Sequence, residues 1–451
     1  MTRLLIERCD HVVTVDDAGT ELAGASILAE DGVIAWIGTG APPGEPDERI
    51  DGRGTIAIPG LVNTHHHLYQ TLTRAWSRDV GLFQWLVALY PVWAHVDEAW
   101  ERAASRVGLS LLALSGCSTS TDHHYVHPEG AGDLLTVEIE SARELGLRFH
   151  PCRGSMDLGE RDGGLPPDSV VEPTEVVLER SREAVERHHD PTPGSMLRIA
   201  IAPCSPFSVT ERLMRESTEL ARSLGVRLHT HLAETLDEER FCIERFGMRP
   251  LELMEEWGWL GDDVWFAHSV HLDAKDARRL GETGTSVASC PSSNLRLGAG
   301  IAPVRTYLEE GVPVGLGVDG PSSNEASDLF GEIRQAMLAS RAAGTERGLT
   351  AREALRLATR GGADVLGRHD VGSLEVGGRA DVALFGVDGL DHAGTAADPV
   401  AGLLMGEARR VRHLIVEGRA VVRDGHLVNA DEDEIAREGH REGRRIVEAF
   451  G

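Results

Sequence analysis

A chain of 451 residues exceeds the roughly 100–200 of a single ordinary domain, so a large core with an accessory unit is expected. Hydrophobic residues make up 41% and charged residues 26%, an ordinary balance for a packed globular protein. The net charge of −27, from 72 acids against 45 bases, repels phosphate and argues against nucleic acid or an anionic membrane as the main partner. The start, MTRLLIERCDHV, interrupts its apolar run with Glu7, Arg8 and Asp10, and no later run reaches the ~18 apolar residues of a membrane span. Cys9, Cys117, Cys152, Cys204, Cys242 and Cys290 show no CxxC spacing, the pattern of buried thiols in a reducing cytoplasm.

Residues 1–55 alternate short apolar runs (Leu4–Ile6, Val12–Val15, Ala25–Leu28, Val33–Ile37) with Gly, Asp and Pro turns, as an antiparallel β unit does. The same texture returns in 372–388 and 411–425. The two ends, 1–55 and 371–451, are therefore expected to form one small β-sandwich. Between them, residues 56–370 alternate strand-like runs with helix patterns. The strand candidates are 55–67, 117–125, 147–155, 197–205, 226–234, 264–272, 285–293 and 312–320. After the fourth, Leu213, Met214, Ser217, Leu220, Ala221 and Leu224 share one helical stripe, with Gly225 as its C-cap. Eight such units predict an α/β fold of the (β/α)8 barrel type, in which the strand C-termini converge on one face. The acid-rich Asp431–Glu434 reads as the start of a solvated helix.

Polar, metal-capable residues stand where the apolar runs end. In His65-His66-His67 the outer two residues point the same way in a strand, so they can grip one ion while His66 points elsewhere. The fifth run ends in His229-Thr230-His231-Leu232-Ala233-Glu234, where His231 could be a ligand and Glu234 a carboxylate beside it. His229 reads as structural, packing beneath the site. His268 closes the sixth run and Asp319 the eighth. Taken singly, each histidine is as readily a satisfied core residue, and an Asp before Gly is usually a turn residue. Four such groups at four predicted strand ends are far more specific than any one.

On these residues the chain resembles the amidohydrolase superfamily, and the spacing of His231 and Glu234 is similar to its cytosine, guanine and adenosine deaminase branch. The resemblance implies His65, His67, His231 and Asp319 as ligands of one divalent ion, zinc by analogy, with iron or manganese suited to the same donors. It also implies Glu234 as proton shuttle and His268 as hydrogen-bonding partner of the attacking oxygen. Lys275, the only lysine, lies after the sixth strand rather than the fourth, so the carboxylated lysine of binuclear members is absent and a mononuclear site is implied. Longer segments, among them NTHHHLYQTLTRA (63–75), TDHHYVHP (121–128), CPSSNLRLGAGIAPVR (290–305) and GVDGPSSNE (317–325), are similar to 8-oxoguanine deaminases, with the triazine hydrolases as a sister group. Hydrolytic deamination of 8-oxoguanine to urate is the implied reaction. Triazine hydrolysis or deamination of isocytosine or guanine is the alternative. A small heterocycle is the implied partner, and a homo-oligomer the common case. Gln70, Trp93, His123, Tyr125 and Cys204 are the candidates for holding the ring, Gln70 because guanine-type deaminases carry a Gln at that place. Read without the resemblance, Gln70 is a capping or surface residue, and Trp93 and Tyr125 are as readily core.

Overall fold

A computed structural model describes residues 2–344, 347–406 and 410–451. Its centre is a closed barrel of eight parallel strands. They are β1 (Leu61–Asn63), β2 (Cys117–His124), β3 (Arg148–Ser155), β4 (Ala200–Pro203), β5 (Leu228–Leu232), β6 (Val264–His268), β7 (Ser286–Ser289) and β8 (Val314–Leu316). Leu316 of β8 pairs with Asn63 of β1 and closes the ring. Every one of these strands falls inside a segment expected from its apolar run. The helix between β4 and β5 spans Glu211–Leu224, buries the predicted stripe from Leu213 to Ala221 with Leu224 half-buried, and ends on Gly225 in the left-handed region (φ 68°). Thr210 caps its start by accepting from the Leu213 N–H, which satisfies one otherwise orphaned donor.

The barrel is filled rather than hollow. Trp265 of β6 occupies the interior together with the small residues Ala200, Ala202 and Ala288. One large ring facing several methyl groups gives close packing without a void. A second, larger apolar layer lies between the strands and the surrounding helices. Those helices include α1 (Leu82–Trp93), α2 (Glu98–Leu114) and α3 (Leu134–Leu145).

Both chain ends contribute to a nine-stranded sheet, as their texture suggested. Thr55–Pro59 belongs to it, pairing with Arg3–Val13 on one side and Val382–Gly386 on the other. The apolar run 55–67, read as one barrel strand, therefore serves two sheets. The chain changes sheets at Gly60, where a Cβ would meet Ser118 Oγ at 2.4 Å, so only glycine lets the two backbones approach. The predicted helix after Asp431 spans Glu432–Phe450, capped by the Asp431 carboxylate.

Sheet and barrel are joined by a buried ion pair. The Arg148 guanidinium at the start of β3 donates to Asp381 through Nε and Nη2, both at 3.1 Å, and to Glu417 at 2.7 Å. Its Nη1 donates to the carbonyls of Gly194 and Ser195. Arg148 and Asp381 are buried, so removing one charge strands the other in a medium that solvates it poorly. Arg148→Ala should therefore lower stability by about 3–5 kcal/mol, read as a shift of the chemical denaturation midpoint. An unchanged midpoint would show that this pair does not fasten the sheet to the barrel.

Candidate active site

The C-terminal ends of β1, β5, β6 and β8 bring His65, His67, His231, His268 and Asp319 together, all buried. The backbone takes a costly form there. Ala233, His268, Ser269 and Asp319 all have left-handed φ, between 51° and 68°, a region that side chains with a Cβ rarely occupy. All four lie at or just after a strand end, and there His268 and Asp319 aim their side chains into the site. The Glu238 carboxylate holds one such turn by accepting from the N–H groups of Ala233 (2.8 Å) and Glu234 (3.1 Å). Asn63 holds another, its Oδ1 accepting from Val318 N just before Asp319.

The hydrogen bonds fix which ring nitrogen of each histidine is free. His67 donates Nδ1–H to the His123 carbonyl at 2.8 Å, and His231 donates Nδ1–H to the Cys204 carbonyl at 2.7 Å. His229 donates its own Nδ1–H to the Trp265 carbonyl at 2.9 Å, which leaves its Nε2 to accept from His65 Nδ1 at 2.9 Å. All three rings thus turn an unprotonated Nε2 toward one point. The Nε2 atoms of His67 and His231 lie 3.1 Å apart, and each Nε2 of His65 and His67 lies 3.4 Å from Asp319 Oδ1. Lone pairs facing each other at this distance, with no proton between them, repel unless a cation sits among them. Three imidazole nitrogens and a carboxylate are a fitting donor set for a divalent transition metal.

The electrostatics agree. Burial pushes the imidazoles of His65, His67 and His231 below their ordinary value, which keeps them neutral and able to donate a lone pair. Burial alone would raise Asp319, yet the imidazoles of His65, His268 and His67 hold its carboxyl well below the usual range. Ser293 and Gly320 fix its orientation, donating to Oδ2 at 2.5 Å and Oδ1 at 2.6 Å. Glu234 is the opposite case: burial lifts its carboxyl to about 7, against the pull of His268. His268 donates Nδ1–H to Asn294 Oδ1 at 2.8 Å and presents Nε2 to Glu234 (3.6 Å) and Asp319 (3.9 Å). Burial presses the His268 imidazole down, and these two carboxylates raise it above its ordinary value.

Gln70, Tyr125 and Cys204 line the cavity above this cluster, and the Gln70 Oε1 is buried without a partner. Trp93 and His123 do not line it. The Trp93 indole donates to Thr73 Oγ1, and the His123 ring stacks behind His231, at 4.8 Å, with Nε2 turned to the Ala202 carbonyl. Instead Leu82, Trp85, Leu86 and Tyr90 of α1 form much of the wall, with Phe207 and Leu297. Sequence reasoning missed them because an amphipathic helix does not announce which neighbour its apolar side covers. It also missed Asn294 and Ser293, whose only signal is polarity next to Pro291. The part of His229 as the partner that orients His65 was hinted at by its i, i+2 relation to His231. All six cysteines are buried and free, and no described helix is long and apolar enough to cross a membrane.

Fold and site together define a (β/α)8 hydrolase whose chemistry depends on a bound metal ion. Residues 56–421 match the amidohydrolase family, and the chain belongs to it. It is 46% identical to the 8-oxoguanine deaminase of Pseudomonas aeruginosa over 92% of each chain. It is 38% identical to the hydroxydechloroatrazine ethylaminohydrolase of Pseudomonas sp. strain ADP, over 99% of this chain and 96% of that one. Among solved structures, the atrazine chlorohydrolase of Arthrobacter aurescens TC1 complexed with zinc superposes with a TM-score of 0.93 at 35% identity, covering 98% of this chain and 100% of that one.

The relay from Trp265 through His229 yields a test. His229→Ala removes the acceptor that fixes the His65 tautomer and should weaken metal binding by about 10–100-fold, measured by chelator competition. Unchanged affinity would take His229 out of the site.

Proposed function

We propose that the chain catalyses hydrolytic deamination of 8-oxoguanine to urate and ammonia. The observation that carries this reading is the 46% identity to an 8-oxoguanine deaminase along nearly the whole chain, laid over a site with the donors such a reaction needs. In the proposed assignment His65, His67, His231 and Asp319 hold one divalent ion, zinc by analogy with the zinc-loaded relative. Such an ion, when bound, lowers the pKa of water to about 7 and so supplies a nucleophile at neutral pH.

The chain's own groups move the protons. Glu234, buried and raised to about 7, is poised to take a proton and give it up again at that pH. Its unpartnered Oε1 is the atom suited to deliver that proton to the ring nitrogen beside C2. Asp319, held ionised, is suited to accept the second proton and pass it to the departing amino group. Its Oδ2 is already steadied by Ser293. His268 Nε2 lies between the two carboxylates, where it can donate to the oxygen added at C2 as charge develops on it. Gln70 is proposed to hydrogen-bond the ring through its free Oε1, with Tyr125 and Cys204 beside it, while Leu82, Trp85 and Leu86 exclude water. A second reading, a triazine hydrolase, is favoured by the similarity to the atrazine chlorohydrolase fold. Its lower identity of 35% ranks it behind the first.

Elemental analysis should find one divalent ion per chain in the barrel-mouth site, lost in His65→Ala and in Asp319→Ala. Glu234→Gln should keep both metal and fold while turnover falls by a factor on the order of 10² to 10⁴. A metal-replete Glu234→Gln protein of normal activity removes Glu234 from the mechanism.

The substrate is tested by a panel of 8-oxoguanine, guanine, isocytosine and amino- or chloro-substituted triazines. Guanine offers a bare N7 acceptor where 8-oxoguanine carries N7–H and O8, so polar groups matched to one edge are left unpaired against the other. The expected kcat/KM for 8-oxoguanine exceeds that for guanine by at least about a hundredfold, with isocytosine a slower, truncated substrate. A triazine as best substrate would overturn the assignment.

A further inference from the structure

Behind the His tract, on the outer side of β2, lies a group of ionisable side chains that the proposed reaction does not use. Asp122 and His124 of β2, Glu101 of α2 and Glu138 of α3 are all completely buried. Ligand-type atoms of Glu101, His124 and Glu138 lie within 4.8 Å of one another. His124 Nδ1 is 2.6 Å from Glu138 Oε1 and 3.6 Å from Glu101 Oε2, and its Nε2 faces the Val126 carbonyl at 2.8 Å. Ser105 donates to Glu101 Oε1 at 2.7 Å. Glu101 Oε2, Glu138 Oε2 and Asp122 Oδ2 find no donor, and among the described residues no arginine pairs with any of the three acids.

Three carboxylates cannot share one dry space with all their oxygens unprotonated, because mutual repulsion adds to the loss of hydration. A separation of 2.6 Å between Glu138 Oε1 and His124 Nδ1 is that of a strong hydrogen bond, so a proton lies between them.

The network also reaches the site. Asp122 Oδ1 accepts from the Leu68 N–H, the first amide after His67, at 2.6 Å, and lies 3.5 Å from His66 Nδ1. Its neighbour His123 donates N–H to the His66 carbonyl and accepts from His67 Nδ1, both at 2.8 Å. Asp122 and His123 thus clamp the His66–Leu68 backbone and the ring of His67 from one strand.

We infer that Glu138 is held as an un-ionised carboxylic acid whose shared proton neutralises this buried cluster, and that Asp122, on the same face of β2 as His124, the partner of Glu138, is a positioning residue for His67. Burial and the neighbouring acids Asp122 and Glu101 raise the Glu138 carboxyl well above its ordinary range, and burial lifts Glu101 to about 8, in line with protons retained there. The amide of Gln is the neutral isostere of a protonated Glu. It can donate to the same acceptors.

The inference rests on His67 being a metal ligand, so His67→Ala serves as the control for that assignment alone: it must lose the ion. Zinc affinity is then measured by chelator competition on the full chain, with an infrared spectrum at neutral pH. Glu138→Gln should keep native zinc affinity and kcat/KM while removing a carbonyl band of un-ionised carboxyl. Asp122→Asn and Glu138→Ala should bind zinc about 10–100-fold more weakly. The d–d spectrum of cobalt-substituted Asp122→Asn should also shift, which a change of stability alone would not produce. Zinc affinity lost in Glu138→Gln would mean that a charge, not a proton, is needed there and would overturn the proposal. So would native affinity in Asp122→Asn, or a second equivalent of metal that Glu138→Gln removes.

Discussion

Three imidazole lone pairs aimed at one point, with no proton to share, form the constraint on which the rest of this structure depends. Such an arrangement is unfavourable in an empty protein, since a buried acceptor wants a donor. It persists because each ring is turned outward by a committed Nδ1–H. Two of those protons go to carbonyls at strand ends, His123 and Cys204, and the third goes to His229 Nε2, whose own Nδ1–H is held by the Trp265 carbonyl inside the barrel. Backbone carbonyls in a parallel barrel are positioned by the ladder, so ring orientation is inherited from the sheet. The architecture does not merely carry the site; it sets the tautomers.

The same logic accounts for the contrast between the two carboxylates. Asp319 is surrounded by imidazoles and two donors and stays ionised. Glu234, only a few ångströms away, has a free Oε1, and burial decides its protonation. One chemical group thus takes two states from the partners within reach. Behind β2 the solution is different again. There the acids outnumber the available donors, and a retained proton replaces the missing cation.

Much of this was legible in the residues. Apolar runs ending in HxH, HTHLAE, FAH and VDG marked four strand ends, and a parallel barrel is the fold that gathers strand ends at one face. The helical stripe with Gly225 as its stop, and the β texture of both chain ends, also translate directly. The rest was hidden for physical reasons. Residues 56–62 are uniformly apolar, and periodicity cannot show that Gly60 hands the chain from one sheet to another. His229 and His231 have the same side-chain direction along β5, but their depth, and so their different parts, depends on the strands beside them. Trp93 looked like a pocket wall because it is aromatic near the site. On α1 it is turned inward to Thr73 instead, and Trp85 and Tyr90 face the cavity.

The left-handed backbone at Ala233, His268, Ser269 and Asp319 has a consequence for how this protein can change. Each of these residues stores strain of roughly 1–3 kcal/mol that glycine would release. At Ala233 and Ser269 the exchange deletes little side chain, so selection for thermal endurance should find it readily. At His268 and Asp319 the same relaxation removes a side chain to which the proposed mechanism gives a part. Durability and turnover are thus separable at the first pair of positions and opposed at the second, and lineages adapting to heat would be expected to diverge at the former while leaving the latter untouched.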